Sequence, residues 1–255
     1  MLFQILNRWT VVLIAAAATV AAFHEAAAAP NPVAENVADS GVLRFGGEYF
    51  LMGLPTDGAA YRSYDLVHWD RPVELFSMEN EWASGPTNSD TQIHSCFFRL
   101  HNGLFHLYWN TNDGRVAEIG HAVSDRPTGP YYEPVVSQQF SGRLDPCVLC
   151  DEDGRSYFYS AKFDQGNIIY GQAMENPGQL VGSPKELFSA RPNSWEKRDT
   201  NVAEGPEVLR CHGRYYMAYN ANHSASYYGN YAIGVTESDT PLGFSDAGKY
   251  DEPVL

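Results

Sequence analysis

The chain has 255 residues, a formal net charge of −14, 44% hydrophobic and 13% aromatic residues, 22 Gly and 15 Pro. This is the composition of a globular, turn-rich, all-β protein with enough apolar material for a core. It excludes nucleic acid and anionic membrane as partners, because 17 Lys and Arg without clustering cannot neutralise phosphates.

Residues 1–29 read as a targeting segment. A single basic residue, Arg8, precedes the apolar run Trp9 to Phe23, and the small residues Ala26 to Ala29 precede Pro30, as in a secretory signal peptide. The run is shorter than the ~20 residues a membrane span needs. The expectation is a mature chain that begins near Ala27 to Asn31, has no membrane association after cleavage, and is secreted or periplasmic.

From residue 31 onward one pattern recurs four times: a short apolar strand, a tight turn ending in glycine, and an aromatic strand. The copies are Val42 to Phe50, Phe98 to His106, Leu149 to Tyr157 and Val208 to Tyr216. Their turn glycines are separated by 103 − 47 = 56, 154 − 103 = 51 and 213 − 154 = 59 residues. That period matches one four-stranded propeller blade and not a helical repeat. Val42, Phe98, Leu149 and Val208 stand five residues before the glycine, and Leu51, Leu107, Phe158 and Met217 stand four after it, as inward positions of a hairpin. Each copy continues into a further strand that ends in Pro, Gly and polar turn residues. Met78 to Gln92 reads as a long loop at the channel mouth.

The four cysteines do not form a framework. Cys147 and Cys150 lie three apart on one strand and face opposite sides, while Cys96 and Cys211 fall in different repeats. No second Cys pair completes a zinc site. Buried free thiols are the expectation. Asn222-His223-Ser224 matches a glycosylation acceptor, and the acidic turn Asp151 to Gly154 lacks the spacing of a calcium loop.

The chemistry is expected where each inner strand begins, because inner strands line the channel of a propeller and their first residues converge on one point. Those positions carry Asp39, His94, Asp145 and Glu204. The last three stand nine residues before their turn glycine (103 − 94, 154 − 145, 213 − 204) and Asp39 stands eight before (47 − 39). A buried pair of carboxylates on different strands suits acid–base hydrolysis.

The trio of Asp39 before Gly41-Val42, Asp145 in Leu144-Asp145-Pro146 and Glu204 in Glu204-Gly205-Pro206-Glu207 resembles glycoside hydrolase family 43. The resemblance covers Asn31 to Leu255. It implies a five-bladed β-propeller that removes arabinofuranosyl or xylosyl units from plant polysaccharides with inversion. It further implies Asp39 as general base, Glu204 as general acid, and Asp145 as the residue that orients the acid and raises its pKa. Inversion needs the base and acid about 6.5–9.5 Å apart, leaving room for water. Two departures stand out: Ile93-His94-Ser95-Cys96 replaces the Trp-Ala-Pro-Glu of many members, and Ser40 replaces a Pro. His94 is expected to face the sugar or to pack structurally, with Phe97 stacking on the sugar in the first case.

The resemblance implies an oligo- or polysaccharide partner, no required cofactor, no metal ligand among these residues and at most a structural calcium in the channel. A non-catalytic carbohydrate-binding propeller is the alternative, and a protein-interaction propeller a third reading. Only about four blades fit in residues 31–255. The sequence is therefore expected to be a fragment of a longer reading frame, monomeric if its ring is complete, and poorly soluble or nearly inactive as 255 residues.

Overall fold

The structure is a computed structural model that describes residues 37–54, 58–75, 93–112, 117–132, 140, 142–163 and 165–255. Residues 1–29, expected to be a targeting segment, and the whole loop Met78 to Gln92 lie outside the described residues. Among those residues the chain is all-β, apart from two 3-10 turns at Trp195–Lys197 and Asp246–Gly248. No helix among them is long and apolar enough to cross a membrane.

Four antiparallel sheets follow in chain order, the four propeller blades expected from the repeats. The first contains β1 (Ala38–Phe45), β2 (Glu48–Leu54), β3 (Ala59–Ser63) and β4 (Val73–Glu74) in that order. The second contains β5 (Ile93–His101), β6 (Leu104–Asn112) and β7 (Ala117–Ser124). The third contains β8 (Leu144–Cys150), β9 (Ser156–Phe163), β10 (Asn167–Asn176), β11 (Gln179–Leu180) and β12 (Lys185–Phe188), the last pairing with β10. The fourth contains β13 (Ala203–Cys211), β14 (Arg214–Ala221) and β15 (Ala232–Ser238). Residues 249–255 run along β15. Tyr250 N donates to Val235 O at 2.9 Å and Val254 N to Ile233 O at 2.8 Å.

The hairpin turns explain the glycine repeat. Gly46-Gly47, Asn102-Gly103 and His212-Gly213 all have positive φ at both positions, the type I′ geometry that matches strand twist. The third turn is one residue longer: Asp151 N donates to Arg155 O at 2.8 Å, which leaves Glu152, Asp153 and Gly154 in the loop. Counting back from the glycine therefore misregisters that blade. Val148, not Leu149, pairs with Phe158, as Val42 pairs with Leu51, Phe98 with Leu107 and Val208 with Met217.

Period-2 alternation sends neighbouring side chains of one strand into different cores. On β6, Leu107 packs between the first and second sheets while Tyr108 packs between the second and third. On β9, Phe158 faces the second sheet and Tyr159 the fourth. Cys147 and Cys150 on β8 divide in the same way. Among the large aromatics, Trp109, Tyr108 and Tyr159 are almost fully buried, and each such side chain contributes roughly 1.5–3 kcal/mol by leaving water. A second repeat signal becomes visible only in the ladders. Trp109, Tyr159 and Tyr219 lie opposite Gly120, Gly171 and Gly234. A Cβ on Gly120 would stand 2.2 Å from the Trp109 ring, so the glycine leaves room for an aromatic to lie across the neighbouring strand.

All four cysteines are free. Cys96 and Cys147 are buried as expected, but Cys150 is half-buried and Cys211, beside the last hairpin turn, is exposed.

Candidate active site

Each inner strand has a bulge at the same place, between Ala38 and Gly41, His94 and Cys96, Leu144 and Cys147, and Glu204 and Glu207. The bulged residues are Asp39, Ser95, Asp145 and Gly205, with φ of 50°, 47°, 55° and 60°. Non-glycine residues adopt this left-handed region rarely, with Asp and Asn the usual exceptions. The equivalent positions are thus Asp39, Ser95, Asp145 and Gly205, and one step earlier Ala38, His94, Leu144 and Glu204. Asp145 belongs with Asp39 and not with Glu204, because of the longer turn in its hairpin. Bulges bend a strand and re-aim its side chains. Here two classes of position, one residue apart, deliver carboxylates to one place.

The hydrogen bonds tie the third and fourth strands together. Asp145 Oδ2 accepts from Gly205 N at 2.8 Å, so the carboxylate of one blade holds the backbone next to the carboxylate of another. Asp145 also bonds the Ser95 hydroxyl, and its own N donates to the buried Asn110 side chain at 3.0 Å. Glu204 Oε2 accepts from Asn167 Nδ2 at 2.5 Å, and Oε1 accepts from the Tyr231 hydroxyl at 2.9 Å. Gly205 is required where it stands: its φ is +60° and a Cβ would lie 2.6 Å from Asn220 Nδ2. Gly41 likewise admits no side chain, since a Cβ would meet the Cys96 carbonyl oxygen at 2.0 Å.

The electrostatics follow from burial. Asp145 is pushed up to about 7, first by burial and then by the charge of Glu204, against the opposing bond from Gly205 N. Glu204 is also raised, first by burial, with the charge of Asp39 adding to it, while the bonds from Tyr231 and Asn167 favour its ionised form. Asp39 is exposed, and its charge acts on Asp145, Glu204 and Tyr231 alike. These three carboxyls, expected from sequence to converge, therefore share one electrostatic neighbourhood. Among the described residues no group of three or more His, Cys, Asp or Glu is arranged to hold a metal ion.

His94 pairs with Asn110 through the strand ladder, and its side chain lies outside the described part of the structure. Phe97 is half-buried and packs against the cores on both sides of the third blade, its ring centroid 6.5 Å from that of Tyr108. Its contacts are those of a packing residue. Sequence reasoning missed Asn167, Tyr231, Ser95 and Asn110. Of these, Asn110 had a usable signal, since it and Asn220 close the second strand of their blades opposite His94 and Glu204. Asn222, the residue of the glycosylation triplet, is fully buried; its Nδ2 donates to Trp195 O at 2.7 Å and Asn230 O at 2.9 Å. A glycan cannot be carried there without breaking both bonds. Asp151, in the acidic turn, is buried and accepts from the Tyr215 hydroxyl at 2.5 Å and Arg210 at 3.1 Å.

The site thus consists of two half-buried carboxyls with raised pKa, Asp145 and Glu204, and the exposed Asp39, where the inner strands of a β-propeller converge. The chain belongs to Glycosyl hydrolases family 43, whose profile matches residues 29–254. Xylan 1,3-beta-xylosidase of a Vibrio species is 25% identical over 73% of this chain, which spans only 37% of that relative's length. A thermostable family-43 glycoside hydrolase of known structure superposes with a TM-score of 0.75 at 25% identity, over 89% of this chain and 77% of its own. An endo-1,4-beta-xylanase of Bacteroides thetaiotaomicron superposes with a TM-score of 0.72 at 29% identity, over 86% and 74%.

Proposed function

We propose that this protein is an exported glycosidase that cleaves arabinofuranosyl or xylosyl linkages of plant-type polysaccharides with inversion of configuration. The observation that carries the reading is the bond from Gly205 N to Asp145, which joins two raised carboxyls within reach of the charge of a third, Asp39. The xylosidase and xylanase relatives support the substrate class.

In this reading Asp39, exposed to the channel water, takes a proton from a water molecule as its oxygen attacks the anomeric carbon from one face. The glycosidic C–O bond breaks on the other face, and Glu204 gives its proton to the departing oxygen. Burial and the Asp39 charge favour the protonated form of Glu204. The Tyr231 hydroxyl and the Asn167 amide fix the direction in which its carboxyl points. Asp145 anchors the Gly205 backbone and so places the acid relative to the base.

The test is hydrolysis of a panel of nitrophenyl pentosides and of arabinan and arabinoxylan by the longest reading frame that contains this chain, with the product anomer followed by NMR. Glu204→Gln and Asp39→Asn should each lower polysaccharide turnover by roughly two to four orders of magnitude without unfolding the protein. An activated leaving group should rescue the Glu204 variant more than the Asp39 variant. Wild-type rates in both variants, or a retained anomer, would refute the assignment.

A further inference from the structure

The loop that follows β14 carries three neighbouring aromatic rings, His223, Tyr227 and Tyr228, of which the two tyrosines are exposed. Tyr227 is 81% exposed and Tyr228 44%, yet the rings are ordered into a stack. His223 and Tyr228 lie 4.5 Å apart at an interplanar angle of 25°, and Tyr227 and Tyr228 lie 4.7 Å apart at 34°. Exposed aromatics without a core to join usually mark a binding surface.

The loop is also held rigid. Its first residue, Asn222, is buried, makes the two donor bonds described above and accepts from Arg198 N at 2.8 Å. His223 Nδ1 accepts from Ala225 N at 3.0 Å, Tyr228 N donates to Ala225 O at 3.1 Å, and Asn230 Nδ2 donates to Asp199 at 2.7 Å. A hydrogen-bonded frame that presents rings to solvent limits the entropy lost when a ligand binds to them. Both ends of the loop lead to the site: Tyr231 bonds Glu204, and His223 lies close enough to act electrostatically on the same carboxyl.

The geometry points to the loop His223–Tyr231 as a saccharide platform for the leaving-group side of the substrate, with Tyr227 and Tyr228 stacking on a sugar ring of the main chain. This rests on Glu204 as the acid, because the space beside the acid is where the departing oxygen and the chain attached to it must lie. The apolar faces of sugar rings suit exposed tyrosines, and the net charge of −14 is compatible with an uncharged ligand. The platform would favour oligosaccharides that extend past the cleaved bond over simple aryl pentosides.

The experiment measures affinity electrophoresis and calorimetry with soluble arabinoxylan and linear arabinan, alongside kinetics on nitrophenyl pentosides and pentose oligosaccharides. The proteins are wild type, Tyr227→Ala, Tyr228→Ala and, as a control on an exposed tyrosine elsewhere, Tyr132→Ala. Each platform variant should weaken binding, and raise KM for oligosaccharides, by roughly tenfold. Rates on nitrophenyl pentosides and the melting temperature should stay within twofold and about 2 °C. Tyr227-dependent binding without hydrolysis would uphold saccharide stacking on the loop but overturn its leaving-group placement together with the glycosidase reading. Hydrolysis with unchanged binding and KM in both platform variants would do the reverse. Absence of polysaccharide binding by the wild type, or equal weakening by Tyr132→Ala, would also overturn the platform.

Discussion

Replacing Asp145 by Asn tests whether the site is held at the expense of stability. Asp145 is pushed from 3.8 to about 7 by burial and by Glu204. Below pH ~4 the carboxyl is protonated in folded and unfolded chains alike, so it takes nothing from stability. Between those two values the folded chain keeps a proton that the unfolded chain has released, and stability therefore falls as pH rises. Above pH 7 the deficit is complete. At about 1.36 kcal/mol per pH unit it reaches on the order of 4 kcal/mol, or about 2–4 kcal/mol for a partly hydrated site. Asn cannot titrate, and its side-chain oxygen can still accept from Gly205 N, so the variant removes the deficit and keeps the bond. Denaturant unfolding of the two proteins at pH 4, 6 and 8 should show Asp145→Asn roughly equal to wild type at pH 4 and more stable by about 2 kcal/mol at pH 8. For a chain of this size that gain corresponds to a Tm higher by about 4–8 °C. Glycosidase activity should fall in the same variant. A stability difference that is flat with pH, or that favours wild type more strongly at pH 8, would refute the reasoning.

Other outcomes follow from the same structure. Tyr231→Phe removes a donor that favours ionised Glu204, so the carboxyl should hold its proton longer and the alkaline limb of the pH–activity profile should move to higher pH. An unchanged alkaline limb would detach Tyr231 from the acid. Lys249 Nζ lies 2.6 Å from Glu196, with both side chains fully buried, and it sits over the Phe188 ring at 4.4 Å. Lys249→Met should lower stability by about 3–5 kcal/mol in denaturant unfolding, because it leaves the Glu196 carboxylate without its closest cation. A loss below 1 kcal/mol would show that Arg191, 3.4 Å from the same carboxylate, neutralises it alone.

By itself the sequence determined the architecture and the chemical types at the site. Glycines at turn positions with positive φ and alternating apolar strands recur with a fixed period, and both are local consequences of backbone sterics and pleat. Hence the four sheets and their order were legible, and Asp39, Asp145 and Glu204 stood out as carboxylates at the entries of inner strands. The cysteine separation was legible for the same reason, since opposite faces of one strand are a local property. Only the tertiary structure decided which residues are equivalent between blades. One extra residue in the Asp151–Arg155 turn shifts the count, and a linear chain does not show where a ladder begins. The bulges at Asp39, Ser95, Asp145 and Gly205 were hidden too, because a bulge is a mismatch between two strands and not a property of either. Phe97 reads as a sugar platform when its strand is taken alone and becomes a packing residue once neighbouring blades close on it. Tyr231 and Asn167 reach Glu204 across 231 − 204 = 27 and 204 − 167 = 37 residues of chain. Partners that distant are brought together by the stacking of sheets, which no local pattern encodes.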